Sequence, residues 1–138
     1  MIVLDTNVVS ELMRPTPHEM VLAWISRRAA STLCTTTITQ AEVLVGVLLL
    51  PKGKRRDALD RAAEGMFESD FAERVLPFTT SAARAYARIT AARTRAGKPI
   101  SVFDAQIAAI THASASSLAT RNVDDFAGCG IEVIDPWA

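Results

Sequence analysis

What this 138-residue chain has little of narrows the choices first. It has two cysteines, Cys34 and Cys129, far apart and outside any C-x-x-C spacing, so neither a disulfide framework nor a zinc site is indicated. They read as reduced packing residues. No apolar run approaches the roughly 18 residues of a membrane helix. No basic stretch precedes the first apolar residues, so a signal peptide is not expected and the predicted location is cytoplasmic. The 15 basic and 15 acidic residues cancel, which removes the basic excess of a strong non-specific nucleic-acid binder. A local basic patch beside an acidic pocket is still allowed. The two histidines, His18 and His112, are isolated and read as surface residues. There is no internal repeat, low-complexity tract or linker, and the length suits one domain over residues 1–138.

What is present is an alternation of short strands and helices. Ile2-Val3-Leu4 reads as a strand buried on both faces and stopping at Asp5. Thr6 and Asn7 turn the chain into a first short helix through Leu12. Pro15 to Pro17 breaks it, and an amphipathic helix from His18 to Ala30 follows. Ser31 to Thr37 reads as the second strand. The next helix, capped by Thr39 and running to Pro51, is nearly all apolar and is expected to be buried. A basic turn (Lys52, Lys54, Arg55, Arg56) leads into a polar helix from Asp57 to Glu68. A strand over Arg74–Phe78 precedes a long helix, capped by Thr79 or Thr80, that ends near Gly97. Its arginines (Arg84, Arg88, Arg93, Arg95) read as surface charges or as salt bridges to a partner. Another helix starts at Ser101, a strand ends at Thr120, and Ile131–Ile134 forms the last strand. The predicted class is α/β: a short central parallel sheet flanked by helices on both faces.

Three acids stand out on apolar ground. Asp5 ends a strand where ligands bind in open α/β sheets. Glu42 and Asp104 lie early in the two most apolar helices, with no basic residue three or four positions away. Each has a plain structural reading. Asp5 suits an N-cap, and Thr39-x-x-Glu42 and Ser101-x-x-Asp104 both match the capping box. Taken together, three carboxylates in one crevice repel, and a hard divalent cation relieves that repulsion. Oxygen donors without Cys or His select Mg²⁺ or Mn²⁺ over Zn²⁺.

The ordered set is recognisable. Leu4-Asp5-Thr6-Asn7-Val8, Ala41-Glu42 on an apolar helix, Phe103-Asp104-Ala105-Gln106-Ile107-Ala108-Ala109, Ala119-Thr120-Arg121-Asn122 before Asp125-Phe126, and the closing Ile134-Asp135-Pro136-Trp137 form one pattern across the chain. It resembles the PIN-domain family, and within it the VapC and FitB-like toxins of bacterial toxin–antitoxin pairs. The resemblance implies a Mg²⁺-dependent ribonuclease, Mn²⁺ substituting, that uses a metal-activated water. Its acidic cluster carries over onto Asp5, Glu42 and Asp104. The family's fourth acid falls on Asn122, which brings no charge; Asp125, one helical turn on, is positioned to compensate, while Asp124 is expected to face water. Thr6 and Asn7 are candidates for holding water beside the ion. Arg121, Lys52, Lys54, Arg55 and Arg56 are candidates for RNA phosphates. The resemblance also implies a homodimeric toxin in a larger assembly and a cognate antitoxin, to be sought near Leu12, Met13 and Leu22.

Rival readings are weaker. A haloacid-dehalogenase-like phosphatase needs an acid two residues after Asp5, where Asn7 stands. A receiver domain needs a mid-chain phosphoacceptor Asp and a late Lys. The remaining alternative is a PIN-like scaffold that is catalytically weak and binds antitoxin and operator DNA as a regulator.

Overall fold

A computed structural model describes all residues from Met1 to Ala138. Five short strands, β1 (Ile2–Leu4), β2 (Leu33–Thr36), β3 (Val75–Leu76), β4 (Ser117–Ala119) and β5 (Val133–Ile134), make one sheet in the order β3-β2-β1-β4-β5. Every neighbouring pair is parallel. Ile2 lies opposite Leu33 on one side and Ser117 on the other, so β1 is the central strand.

Side-chain alternation along so short a strand still divides the interior in two. Val3, Cys34 and Leu118 join one core, with Ala82, Ala85 and Ile89 of α5 (Thr80–Arg95) and Ile107 to Ile110 of α6 (Val102–Ala113). Leu4, Leu33 and Ala119 join the other, with Val8 and Val9 of α1 (Thr6–Leu12), Val21 of α2 (Glu19–Ser26), Val43 of α3 (Thr37–Leu48) and Ala63 of α4 (Lys54–Gly65). The expected α/β class, with helices on both faces of a parallel sheet, is the one observed. Both cysteines are buried and unpaired. No helix is long and apolar enough to cross a membrane.

Several local expectations change. β2 is shorter than Ser31–Thr37, because Ala30–Thr32 is a 3₁₀ turn. The strand expected over Arg74–Phe78 contracts to two residues; Arg74 instead turns its guanidinium onto the carbonyls of Ala30, Leu33 and Asp70. α2 spans Glu19–Ser26, capped by His18, whose Nδ1 accepts from Met20 N–H at 3.1 Å. α3 begins before Thr39. Its cap is Thr36, in extended backbone at the end of β2, whose Oγ1 accepts from Thr39 N–H at 3.1 Å. The Thr39 hydroxyl is thereby freed for other work, and Glu42 falls in the second helical turn rather than at N3.

Burial of α3 also departs from expectation. Thr39, Val43 and Val47 face inward, but nothing covers the opposite side, so Val45, Leu48 and Leu49 are 55%, 56% and 80% exposed. By contrast, Ser101 caps α6 as expected, its Oγ accepting from Asp104 N–H at 3.2 Å, and Thr79 caps α5. Arg93 is no free surface charge. It donates to the carbonyls of Lys98 (2.7 Å), Asp125 (2.9 Å) and Ala127 (3.0 Å), stapling the end of α5 to the loop after β4.

Candidate active site

The sheet order sets the location. From β1 the chain moves outward to β2 and β3, then returns to β4 on the opposite side. The crevice at the carboxyl ends of β1 and β4 is therefore the topological switch point, where open α/β sheets bind ligands. Asp5 ends β1 there, its N–H bonded to Ala119 O of β4 at 2.9 Å.

Asp5 is only 4% exposed, and its carboxylate does two jobs. Oδ1 accepts from Thr6 N–H at 2.8 Å and caps α1, so the plain capping role is real. Oδ2 accepts from the Thr120 hydroxyl at 2.7 Å. Burial pushes the Asp5 pKa up to about 6; the bonds from Thr120 and Thr6 oppose this, and the charges of Asp104 and Glu42 add to it. The cap therefore uses one oxygen of a carboxyl group that also feels two other acids.

The sequence reading places Thr120 at a strand end and within the family pattern but gives it no role in the site. Thr120 is fully buried, and its hydroxyl is saturated: it donates to Asp5 and accepts from Asn7 Nδ2 (3.1 Å) and Asn122 N–H (3.1 Å). The available signal was a hydroxyl residue ending one central strand just as Asp5 ends the other. Asn7 is fully engaged as well, its Oδ1 accepting from Arg121 N–H at 3.2 Å.

Glu42 reaches the crevice from α3. Its Oε1 accepts from the Thr6 hydroxyl at 2.8 Å, and Thr6 Oγ1 lies 3.0 Å from Thr39 Oγ1. Since the single proton of Thr6 is committed to a carboxylate, Thr39 is the donor in that second contact. The capping-box role assigned to Thr39 and Glu42 is thus replaced by a chain of hydroxyls leading from α3 to α1.

Asp104 arrives from the opposite layer, in the first turn of α6. Burial raises its pKa; the Ser101 hydrogen bond opposes this, the charge of Asp125 adds to it, and Arg93 counters it. Asp125 is exposed on the 3₁₀ turn Val123–Phe126 and acts electrostatically on Asp104. Asn122 is also exposed, its N–H tied to Thr120. Asp124 is exposed, as expected.

The basic candidates separate. Arg121 is exposed beside the crevice. Arg55 lines a groove of about 430 Å³ between α1, α3 and α4, whose wall includes Glu42, Met13, Val43, Val47 and Leu59. Lys52 and Arg56 line another hollow with Asp57 and Asp60, where the charges largely offset one another. Lys54 is exposed at the start of α4. Of the apolar candidates for a partner, Met13 lines the large groove, Leu12 lines a separate hollow, and Leu22 is exposed on α2.

The donor chemistry of the cluster fits a hard divalent ion: carboxylate and hydroxyl oxygens only, with a buried acid whose ionisation its neighbours oppose. As the side chains stand, no three acids close on a single point.

Topology, switch-point acids and supporting hydroxyls together define a class. Residues 2–128 match the PIN domain model, and the chain belongs to the PIN-domain family. Among its relatives, the plasmid stability protein StbB of Pseudomonas syringae is 44% identical, covering 99% of both chains. The VapC ribonuclease Y4jK of Sinorhizobium fredii is 42% identical, covering 99% of this chain and 98% of the relative. The crystal structure of FitAcB from Neisseria gonorrhoeae superposes with a TM-score of 0.93 at 38% identity, covering 99% of each chain.

Proposed function

We propose that this protein is a Mg²⁺-dependent endoribonuclease acting as the toxin of a toxin–antitoxin pair. The observation that carries this reading is the buried Asp5 at the β1–β4 switch point, its carboxylate held by Thr6 and Thr120, with Glu42 joined to the same Thr6. Membership of the PIN-domain family and 42% identity to a protein named as a ribonuclease support the catalytic reading over that of a DNA-binding scaffold.

Asp5 and Asp104 would hold the ion, with Glu42 direct or through water, and Mn²⁺ able to replace Mg²⁺. Bound there, the ion would neutralise charge at the scissile phosphate and make a water more acidic. The residues of this chain then have distinct tasks. Glu42 keeps Oε1 on the Thr6 hydroxyl, which leaves Oε2 to orient the attacking water and accept its proton. Thr39 fixes Thr6, and Thr120 fixes Asp5. Asn7 braces the Arg121 backbone against α1. Asp125 supplies the fourth negative charge in place of the uncharged Asn122. Arg121 takes a backbone phosphate of the RNA, as does Arg55 from the groove; Lys52, Lys54 and Arg56 contribute at longer range.

The apolar groove that holds Met13 and Glu42 suits a helical antitoxin segment carrying a basic side chain toward the acids. Buried unpaired cysteines suit a reducing, cytoplasmic setting, and we read the protein as a homodimer that assembles with a cognate antitoxin.

The decisive measurement is cleavage of total cellular RNA by the purified protein with Mg²⁺, with EDTA, and with Asp104→Asn. Cleavage should require Mg²⁺ and fall by at least about a hundredfold in the variant while circular dichroism is unchanged. Undiminished cleavage by Asp104→Asn removes the catalytic assignment.

A further inference from the structure

Arg121 poses a physical question. Its backbone N–H is bonded to Asn7, the same residue whose Nδ2 lies 3.5 Å from Asp5 Oδ2, so the side chain is rooted at the edge of the acidic cluster. Yet its guanidinium forms no ion pair. The protein's one pair within 4.0 Å joins Arg14 to Glu11. Arg121 instead places Cζ 5.2 Å from the centre of the Trp137 ring. A long cationic side chain beside carboxylates has every electrostatic reason to fold onto them, and an aromatic face is the group that competes.

Trp137 is itself held. Its backbone N–H donates to Asp135 Oδ1 at 2.9 Å, and Ala138 N–H returns to Asp135 O at 3.2 Å. The ring is half-buried against the core of the α1–α4 layer. Thr120 N–H bonds to Ile134 O at 2.9 Å, so the residues before Arg121 and before the Asp135–Trp137 turn are locked in one register. The cation and its platform are thereby positioned by the same strand pair, β4 and β5.

We propose that Trp137 is a positioning residue: its indole keeps Arg121 off the acidic cluster and turned outward, where the guanidinium meets a backbone phosphate of the RNA. This rests on the ribonuclease reading. A guanidinium over an aromatic ring keeps in-plane N–H donors available at its edge, as a phosphate requires. Without the platform, Arg121 collapses onto the carboxylates, and the phosphate contact is lost although the arginine is still present.

The test compares wild type, Arg121→Ala, Trp137→Leu, Trp137→Phe and the Leu/Ala double variant on a fluorogenic RNA oligonucleotide. Binding of fluorescein-labelled RNA is also followed by anisotropy across a salt series, in an Asp104→Asn background. Leu fills the space without a π face, and Phe restores one. Trp137→Leu should raise KM roughly three- to tenfold with kcat little changed, matching Arg121→Ala, and Phe should return it to within about twofold. The slope of log affinity against log salt should fall by about 0.7 in both the Leu and Ala variants, and the double variant should add nothing. If the Leu variant loses its helical signal, Trp137→Met, which also lacks a π face, takes its place.

A folded Leu or Met variant with wild-type KM and salt slope, or additive effects in the double variant, overturns the proposal. A wild type that cuts no RNA overturns the ribonuclease reading itself, and this proposal with it.

Discussion

At the residue scale, Asp5 makes the cost of the site measurable. Its pKa rises from 3.8 to about 6 on folding, so the native state holds that proton more tightly than the unfolded chain. Below 3.8 both states are protonated and the contribution to stability is fully present; it is lost as the pH rises through about 6. At about 1.4 kcal/mol per factor of ten, the ionised group costs the fold roughly 3 kcal/mol when no cation is bound. In EDTA, Asp5→Asn should therefore be more stable than wild type by about 1–3 kcal/mol near pH 8, and the gain should vanish near pH 3.5; urea melts at the two pH values check this. Thr120→Val should act in the opposite sense. It removes the hydrogen bond that restrains the Asp5 pKa and strands Asn7 Nδ2 and Asn122 N–H. An NMR titration should place the Asp5 transition above that of wild type, with a loss of about 1–3 kcal/mol in stability.

At the element scale, the caps and staples divide into those a reader of the sequence sees and those it hides. Ser101 was legible because a hydroxyl stands before an apolar helix with nothing else competing for the role. Ser101→Ala should cost about 1 kcal/mol by denaturant melts and loosen the first turn of α6, which carries Asp104. Thr36 was hidden in a run of threonines, any of which satisfies the pattern. Only the end of β2 decides among them, and strand ends depend on neighbours far away in sequence. The exposed stripe of α3 was illegible for a related reason. Composition reports that Val45, Leu48 and Leu49 are apolar, not whether a layer exists to cover them. Arg93 reads as a surface charge and Arg74 as a strand residue because their partners are backbone carbonyls, which leave no sequence trace. Arg74→Lys should destabilise the protein by about 2 kcal/mol in urea melts, since an ammonium cannot span three carbonyls.

At the scale of the whole molecule, the alternation of strands and helices was enough to imply the class, and the apolar surroundings of Asp5, Glu42 and Asp104, with the family pattern, were enough to nominate the acids. The sheet order that brings Asp5 to the crevice with Glu42 and Asp104 in electrostatic reach, and the hydroxyls of Thr6, Thr39 and Thr120 that hold the first two, required the fold. Relief of mutual repulsion by the proposed divalent ion would be a property of the assembled cluster, and it would give a readout independent of catalysis. Millimolar Mg²⁺ should raise Tm by about 3 °C or more near pH 7.5 and have little effect near pH 5, where Asp5 holds its proton. Asp104→Asn should flatten the response at both. A Tm that ignores Mg²⁺ at the higher pH counts against the ion site.

Adjacent residues of β1 serve different interiors: Val3 belongs to the α5–α6 side and Leu4 to the α1–α4 side, and Asp5 follows directly. Neither half can open without disturbing the strand on which that acid is mounted. The amides of β1 should therefore exchange with solvent only through complete unfolding, as one cooperative unit. Such a molecule would have no half-melted form in which one layer of helices survives without the other.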